Sequence, residues 1–139
     1  MVRQASTILS IRAAERGLHE FTDSVCNFVR ESGIREGLLT LFCRHTSASL
    51  LIQENAAPAA RRDLEAYFSR IAPENGPYEH DDEGPDDMPA HLRSALTATQ
   101  LSIPVMQGRL ALGTWQGIYL FEHRRQPHSR EIALHLVGE

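Results

Sequence analysis

The pattern of apolar and polar positions along the chain shows two periods, which predict strands and helices. Alternation at every second residue indicates a strand, and apolar residues recurring every three or four positions indicate an amphipathic helix. Strands are predicted at residues 4–12, 37–45, 47–53, 100–106, 109–113, 117–123 and 130–137. Because the last four follow one another with only short glycine and proline breaks, we expect antiparallel pairing.

Three segments carry the period of a helix. The first ends at Gly33, the second begins at Pro58 and the third runs from about Pro89 to Leu96. The apolar stripe of the first is Phe21, Val25, Phe28 and Val29, and that of the second is Ala60, Leu64, Tyr67, Phe68 and Ile71. These patterns predict an α+β fold, a mainly antiparallel β-sheet or sandwich with two to three helices in a single compact domain covering residues 1–139.

Composition excludes several classes of protein. No apolar run approaches the roughly 20 residues that span a bilayer, and the alternating N-terminal segment lacks the continuous apolar core of a signal peptide. We therefore expect a cytoplasmic protein with no membrane partner. The net charge of −4 and the scattered arginines argue against a nucleic-acid partner, which would favour a basic stripe with interleaved aromatic residues.

All 14 basic residues are arginine, and lysine is absent. This excludes Schiff-base chemistry, covalent attachment of pyridoxal phosphate and a P-loop lysine. A bound phosphate must therefore be held by arginine, by backbone N–H groups or by a metal. The two cysteines, Cys26 and Cys43, lack CxxC spacing, which excludes a zinc ribbon, and we expect both to be buried free thiols.

A group of polar residues follows the strand predicted at 37–45. His45 ends that strand, and Thr46, Ser47 and Ser49 supply hydroxyl groups that can orient an imidazole or hold a ligand. A histidine at this position is commonly a satisfied edge residue, and the hydroxyl groups equally suit a turn. This block is therefore a candidate site that needs partners from elsewhere in the chain.

Residues 72–89 break the periodic pattern with four prolines, two glycines and seven carboxylates. A loop of this length inside a compact domain is usually functional or disordered. A run of charges is most often a solvated surface, and Asp87 could simply cap the helix that begins near Pro89. Two histidines at the flanks of the acidic run, His80 and His91, favour a functional interpretation.

Together with His45, these two histidines form a set that suits a divalent metal with an open coordination position. Zinc and magnesium are both candidates. Asp87 or Glu83 would supply a further ligand or an acid–base group, so the catalytic candidates are His45, Asp87 and His91. The spacing of these residues matches no established metal motif.

The glycine-rich segment 108–117 predicts a tight strand–turn–strand, in which Thr114 and Gln116 bring polar atoms that need partners. One guanidinium group can donate two hydrogen bonds to a phosphate at once, so arginine is the residue type expected to bind an anion. The candidates are Arg109, Arg124 and Arg130. GxSxG, GxGxxG and HExxH motifs are absent.

In these blocks the chain resembles the YjbQ-like family, which has long been catalogued as an uncharacterised protein family. The resemblance is carried by His45–Leu50, by the stretch from Tyr78 through Leu92, by the stretch from Ser102 through Leu110, and by Leu112–Gln116. It covers about residues 5 to 137. It implies a compact, sheet-rich α+β fold, assembly as a homotrimer, and a weak or accessory thiamine-phosphate synthase activity. The family also places histidines where His45, His80 and His91 stand, whereas some members carry aspartate at the position of His123.

The leading hypothesis is a small metal-dependent enzyme, a transferase that acts on a phosphorylated or pyrophosphorylated metabolite. His45, His80 and His91 would bind the metal. The substrate would be held by Ser47, Ser49, Arg109, Thr114, Gln116 and Arg124. The alternative is a non-catalytic trimeric module that binds a metal or a small anion.

Overall fold

The structure is a computed structural model that describes residues 1–139 and contains eight strands and three helices. The strands are β1 (Arg3–Ala13), β2 (Gly17–Glu20), β3 (Gly37–Cys43), β4 (Ala48–Glu54), β5 (Gln100–Met106), β6 (Arg109–Leu110), β7 (Gln116–Glu122) and β8 (His128–Gly138). The helices are α1 (Thr22–Ser32), α2 (Pro58–Ile71) and α3 (Asp87–Leu96). Every strand pair is antiparallel, which confirms the predicted α+β class.

The strands form two sheets around one hydrophobic core. The larger sheet has the order β1-β8-β3-β5-β6, and the smaller has the order β2-β7-β4. Both sheets and α1 contribute buried side chains to a single cluster, which includes Val25, Val29, Leu39, Leu41, Leu50, Ile118, Leu120, Ile132, Leu134 and Leu136. Burial of this apolar surface is the main favourable contribution to folding.

Strand β8 shows how the period of two sets the register. Ile132, Leu134 and Leu136 are buried, whereas the alternating residues Glu131 and His135 are exposed on the outer face of the larger sheet. A slip of one residue would move the whole apolar set to solvent, so the pattern fixes the pairing.

Strand β7 is buried on both faces because helices cover the smaller sheet. Ile118 and Leu120 face the core, while Tyr119 and Phe121 alternate with them, and the Phe121 ring meets that of Phe68 on α2 edge-on at 5.4 Å. Glu122, the last residue of β7, is fully buried, and His123 directly after it is 1% exposed. The covered region at this end of β7 therefore contains polar side chains.

Several details differ from the sequence predictions. Strand β2 was not predicted, and the strand predicted at 109–113 is only two residues long. Tyr67 and Ile71 were predicted to be buried on α2 but are 50% and 43% exposed. Cys26 is exposed, contrary to the prediction, although both cysteines are free thiols. No helix has the length and apolar character needed to cross a membrane.

Candidate functional site

Three parts of the chain meet at one end of the smaller sheet. They are the β3–β4 connection at residues 44–47, the loop leading into α3, and the end of β7 with the residues after it. His123 N donates to Ser47 O over 3.2 Å, which joins the first part to the third. Arg124 contacts the α3 segment, which completes the meeting of the three.

Four potential metal ligands lie together at this meeting point. One ligand atom from each of His80, Glu83, Asp87 and His91 lies within 4.8 Å of all the others. Asp87 Oδ2 is central, 2.9 Å from His80 Nε2 and 3.2 Å from His91 Nε2. Asp87 and His91 share one face of α3 because they are four residues apart, and the loop brings His80 and Glu83 to them.

The orientation of His91 is fixed from outside the cluster. Its Nδ1 lies 2.9 Å from Thr46 O, and a carbonyl oxygen can only accept, so Nδ1 carries the proton. Nε2 is then the nitrogen that faces Asp87 Oδ2, and it is able to bind a metal when the ring is neutral. A backbone carbonyl that sets the tautomer of a ligating histidine is a recurrent feature of protein metal sites.

Arg124 holds the two aspartates at the start of α3. Its Nη1 donates to Asp87 Oδ1 at 2.7 Å, Nε donates to Asp86 Oδ2 at 3.2 Å, and Nη2 donates to Glu83 O at 2.9 Å. The guanidinium therefore occupies one oxygen of Asp87 and leaves Oδ2 facing the imidazoles. The contact of Arg124 with a substrate phosphate stays a prediction, because in the structure its guanidinium donates to the carboxylates of Asp86 and Asp87.

These contacts determine the charge of the carboxylates. Burial acts to raise the pKa of Asp87, but the His80 hydrogen bond and the charges of His91 and Arg124 outweigh burial, so its pKa lies below the usual value. Burial also acts to raise the pKa of Asp86, but the Arg125 backbone N–H and the Arg124 side chain hold it below the usual value. Both groups are anionic at neutral pH, as metal ligation requires.

The hydrogen bond between His80 and Asp87 also shifts the pKa of His80. Donation to Asp87 raises the pKa of this half-exposed imidazole above its ordinary value. His80 is the more accessible of the two histidines in the cluster, and its ring lies 5.6 Å from that of His91 at an angle of 42°. A metal ion would therefore have to displace a proton from His80, which makes metal binding pH-dependent.

A buried ion pair supports the β3–β4 connection. Glu122 is fully buried, and its Oε1 accepts from Arg130 Nε at 2.7 Å. Arg130 Nη2 donates to Ser47 O at 3.2 Å and to Ser47 Oγ at 2.9 Å. The pair thereby fixes the backbone next to Thr46, whose carbonyl orients His91. In the structure, Ser47 and Arg130 contact each other.

His45 lies apart from the four-residue cluster. Its Nε2 accepts the Glu131 backbone N–H at 2.7 Å, so Nδ1 carries the proton when the ring is neutral. Burial, followed by the charge of Arg130, lowers the pKa of His45 below its ordinary value. The side chain instead lines a groove of about 820 Å³ that it shares with His91.

Ser49 belongs to a buried chain of hydrogen bonds. Thr97 Oγ1 donates to Arg93 O at 2.8 Å, so it accepts from Ser49 Oγ, and Ser49 Oγ in turn accepts from His123 Nε2 at 2.8 Å. His123 Nδ1 is buried without a partner, and burial lowers the pKa of His123 to about 3. Both Ser49 and His123 are inaccessible to solvent in the chain.

The remaining predicted substrate residues lie elsewhere in the chain. Strand pairing sets Gln116 opposite Glu54, at the far end of β7 from Glu122, and the rise of a strand makes that separation roughly 20 Å. Thr114 precedes Gln116, whose Oε1 accepts from Gly113 N. Arg109 lines a separate groove between α1 and the β5–β6 hairpin.

Two residues that support the site, Asp86 and Glu122, were not proposed as site residues from sequence. Thr46 was a candidate for its hydroxyl group, whereas in the structure it orients His91 through its backbone carbonyl, which every residue possesses. A signal was present only for Glu122, since it directly follows the continuous apolar run Ile118–Phe121 of β7. Nothing in the sequence distinguished Asp86 from its acidic neighbours.

This chain is a sheet-rich α+β protein with a histidine–carboxylate cluster where helix α3 begins. It belongs to the family described as UPF0047 protein YjbQ-like, whose model matches residues 7–139. It is 52% identical to a UPF0047 protein of Synechocystis sp. over 99% of this chain and 94% of that protein. It is 48% identical to the UPF0047 protein YjbQ of Escherichia coli O157:H7 over 94% of this chain and 96% of that protein.

Solved structures show the same fold. A hypothetical protein of Aeropyrum pernix superposes with a TM-score of 0.88 at 28% identity, covering 97% of this chain and 99% of that one. A conserved hypothetical protein of Thermus thermophilus gives a TM-score of 0.81 at 33% identity, covering 92% of this chain and 97% of that one. None of these descriptions names an activity.

Proposed function

We propose that this protein is a metal-dependent enzyme acting on a phosphorylated or pyrophosphorylated metabolite. The observation that carries the proposal is the convergence of His80, Glu83, Asp87 and His91, with ligand atoms within 4.8 Å of one another. A cluster of acidic groups alone is common at protein surfaces. Here the Thr46 carbonyl additionally sets the tautomer that presents His91 Nε2 to the cluster.

The donor set favours zinc over magnesium. Two imidazole nitrogens and two carboxylates suit zinc, whereas magnesium prefers oxygen ligands and retains several waters. Asp87 is the central ligand of the proposed site, and His80, His91 and Glu83 surround it. His45 is not part of this set because its Nε2 is already occupied by Glu131 N–H.

A phosphorylated substrate fits the distribution of charge. The metal would supply a Lewis acid that neutralises negative charge on phosphate oxygens. The only arginine that contacts the cluster, Arg124, is committed to Asp86 and Asp87. A leaving phosphate would therefore depend on the metal for its neutralisation, and metal removal should abolish the reaction.

The resemblance to the YjbQ-like family suggests thiamine-phosphate synthase chemistry as the reaction to test. In that reaction the thiazole nitrogen attacks the methylene carbon of the pyrimidine diphosphate ester. The carbon–oxygen bond breaks, and pyrophosphate leaves with the bonding electrons. Protein groups need only orient the two substrates and stabilise the leaving group, which matches a site without an activated nucleophile.

We also propose that the protein functions as a cytoplasmic homotrimer. The two free cysteines fit a reducing compartment. At the end of the larger sheet where β3 begins, the outer face exposes the apolar side chains of Leu38 and Val137, which are cross-strand partners. Such a face favours association of copies. Light scattering coupled to size-exclusion chromatography measures the mass directly, and a monomer would contradict the assembly.

The test begins with the metal. Purified protein is analysed for bound metal by mass spectrometry, then stripped, reloaded with zinc and assayed with the two thiamine precursors. His91→Ala and Asp87→Asn should lose both zinc and turnover. His19→Ala, which removes an imidazole of β2 that contacts the Glu15 carbonyl oxygen and not the cluster, serves as the matched control.

The outcomes separate the two functions considered. Loss of zinc and turnover together in the cluster variants supports the enzyme. Stoichiometric zinc without turnover of these or other phosphorylated substrates supports the non-catalytic binding module. Failure of the wild-type protein to bind zinc or another divalent metal contradicts the metal site itself.

A further inference from the structure

A groove of about 820 Å³ opens directly beside the histidine–carboxylate cluster. We propose that this groove holds an uncharged, apolar ring of the substrate while the metal site holds its anionic group, and that His45 donates a hydrogen bond to an acceptor on that ring or its linker. This inference rests on the proposed function, because it defines the substrate class of the same site.

The groove and the cluster share one residue. His91 presents Nε2 to Asp87 and also lines the groove. Ser94 and Ala95 lie three and four residues further along α3, on the same face, and both line the groove as well. A molecule anchored at His91 can therefore extend along α3 beside Ser94 and Ala95.

The opposite wall of the groove is apolar. Phe42, at the end of β3, is 47% exposed and lies cross-strand from Ala133 on β8. The exposed Phe42 ring lines the same groove as Ser94 and Ala95, and it provides a surface on which a flat ring can stack. The volume falls in the range typical of sites for small molecules.

The groove carries no unpaired cation that could hold an anionic group. Arg44 is its only charged side chain, and Glu131 neutralises it through a contact of 3.1 Å between Arg44 Nη1 and Glu131 Oε1. The other polar lining groups are hydroxyls and imidazoles. The groove therefore favours a neutral body, and the negative charge of the ligand belongs at the cluster.

His45 provides one donor of defined position. The Glu131 backbone N–H occupies its Nε2, so Nδ1–H remains as the donor of the neutral ring. A carboxylate or phosphate would bind the metal ion in preference to this single neutral donor. A carbonyl oxygen or ring nitrogen on the substrate body is the appropriate acceptor. His45 is therefore assigned to substrate binding and not to the metal.

The experiment uses three phosphonates as probes of the zinc-loaded protein, measured by isothermal titration calorimetry. Benzylphosphonate should bind about tenfold more tightly than methylphosphonate, the gain expected when roughly half of a phenyl ring leaves water. Benzoylphosphonate adds a carbonyl acceptor and should bind about fivefold more tightly than benzylphosphonate, the effect of one neutral hydrogen bond.

Substitutions test which residue is responsible for each gain in phosphonate affinity. Ala95→Trp fills the groove from an exposed helix position and should remove the advantage of the phenyl ring, whereas Ala66→Trp at an exposed position of α2 should not. His45→Ala should remove the advantage of the carbonyl and leave zinc affinity unchanged. His45→Gln, which retains an N–H donor, should restore part of that advantage.

The results distinguish this inference from the proposed function. If the protein binds zinc and the zinc-loaded protein binds all three phosphonates with equal affinity, the groove does not hold the ring of the substrate. The metal site is unaffected by that result. A loss of zinc affinity in His45→Ala overturns the assignment of His45 as a donor. Absence of zinc binding in the wild-type protein overturns the proposed function and this inference together.

Discussion

Acidification is expected to destabilise the metal-free protein through one buried histidine. His123 is 1% exposed, its Nδ1 has no partner, and burial together with the charges of Arg93, Arg130 and Arg16 lowers its pKa from 6.5 to about 3. The unfolded chain binds a proton at this imidazole below about pH 6.5, and the folded chain does not until about pH 3. Between these values stability therefore rises with pH.

The size of the effect follows from the two pKa values. At about pH 5 the unfolded imidazole is almost fully protonated and the folded one is almost fully neutral. The difference of about 1.5 pH units from 6.5, at about 1.36 kcal/mol per unit, gives a loss of about 2 kcal/mol relative to neutral pH. This is a large fraction of the stability of a typical small domain.

Urea unfolding in the presence of a chelator, at several values between about pH 7.5 and about pH 5, measures this loss. His123→Gln places an amide N–H where Nε2–H meets Ser49, so it preserves the hydrogen bond and removes the titration. The variant should therefore lose about 2 kcal/mol less than the wild type over this range. His19→Gln, on β2, controls for removal of a histidine in general.

Comparing variants also separates His123 from the two other shifted histidines. His45, with a lowered pKa, adds to the loss in acid, whereas His80, with a raised pKa, opposes it, because its contribution is present below about pH 6.5 and disappears as pH rises through the folded value. Both contributions cancel in the difference between wild type and His123→Gln. Parallel pH dependences for these two proteins would refute the reasoning.

Three further predictions concern the supports of the site and the fold. Arg124→Gln should weaken zinc binding by about 10- to 100-fold, measured by competition with a chromophoric chelator. An unchanged zinc affinity would show that Arg124 is not needed to hold Asp87 in place. Arg130→Met should cost about 3–5 kcal/mol in urea unfolding because it leaves Glu122 buried without its partner, and a loss below about 1 kcal/mol would contradict this. Gly37→Ala should lower the melting temperature because a Cβ there would lie 2.4 Å from the Val137 carbonyl oxygen, and an unchanged melting temperature would show that β3 and β8 can separate locally.

The elements of the fold could be predicted where local period and burial agree. The stripe Val25 and Val29 of α1 and the alternation of β8 both match the structure because each segment meets the core along one continuous face. Tyr67 and Ile71 were misjudged: both are exposed, whereas Phe68 of the same helix is buried against Phe121 of the smaller sheet. Periodicity identifies an apolar stripe but not how far the covering surface extends.

The candidate site was predicted in part. His80, Asp87, His91 and Glu83 were candidates from sequence, and the structure brings their ligand atoms together. His45 was an equally good candidate metal ligand from sequence, yet its Nε2 accepts the backbone N–H of Glu131. The difference depends on a single backbone N–H at 2.7 Å, which no side-chain pattern reveals.

The sequence alone determined the class of elements, the absence of lysine chemistry and the acidic, histidine-flanked loop, because each is a property of neighbouring residues. Only the tertiary structure decided which polar groups share a site. It joined Thr46 to His91 and Arg124 to Asp87, and it separated Gln116 from all of them by the length of β7. Those relations depend on strand register and loop path, which are fixed by burial of the whole core rather than by any local pattern.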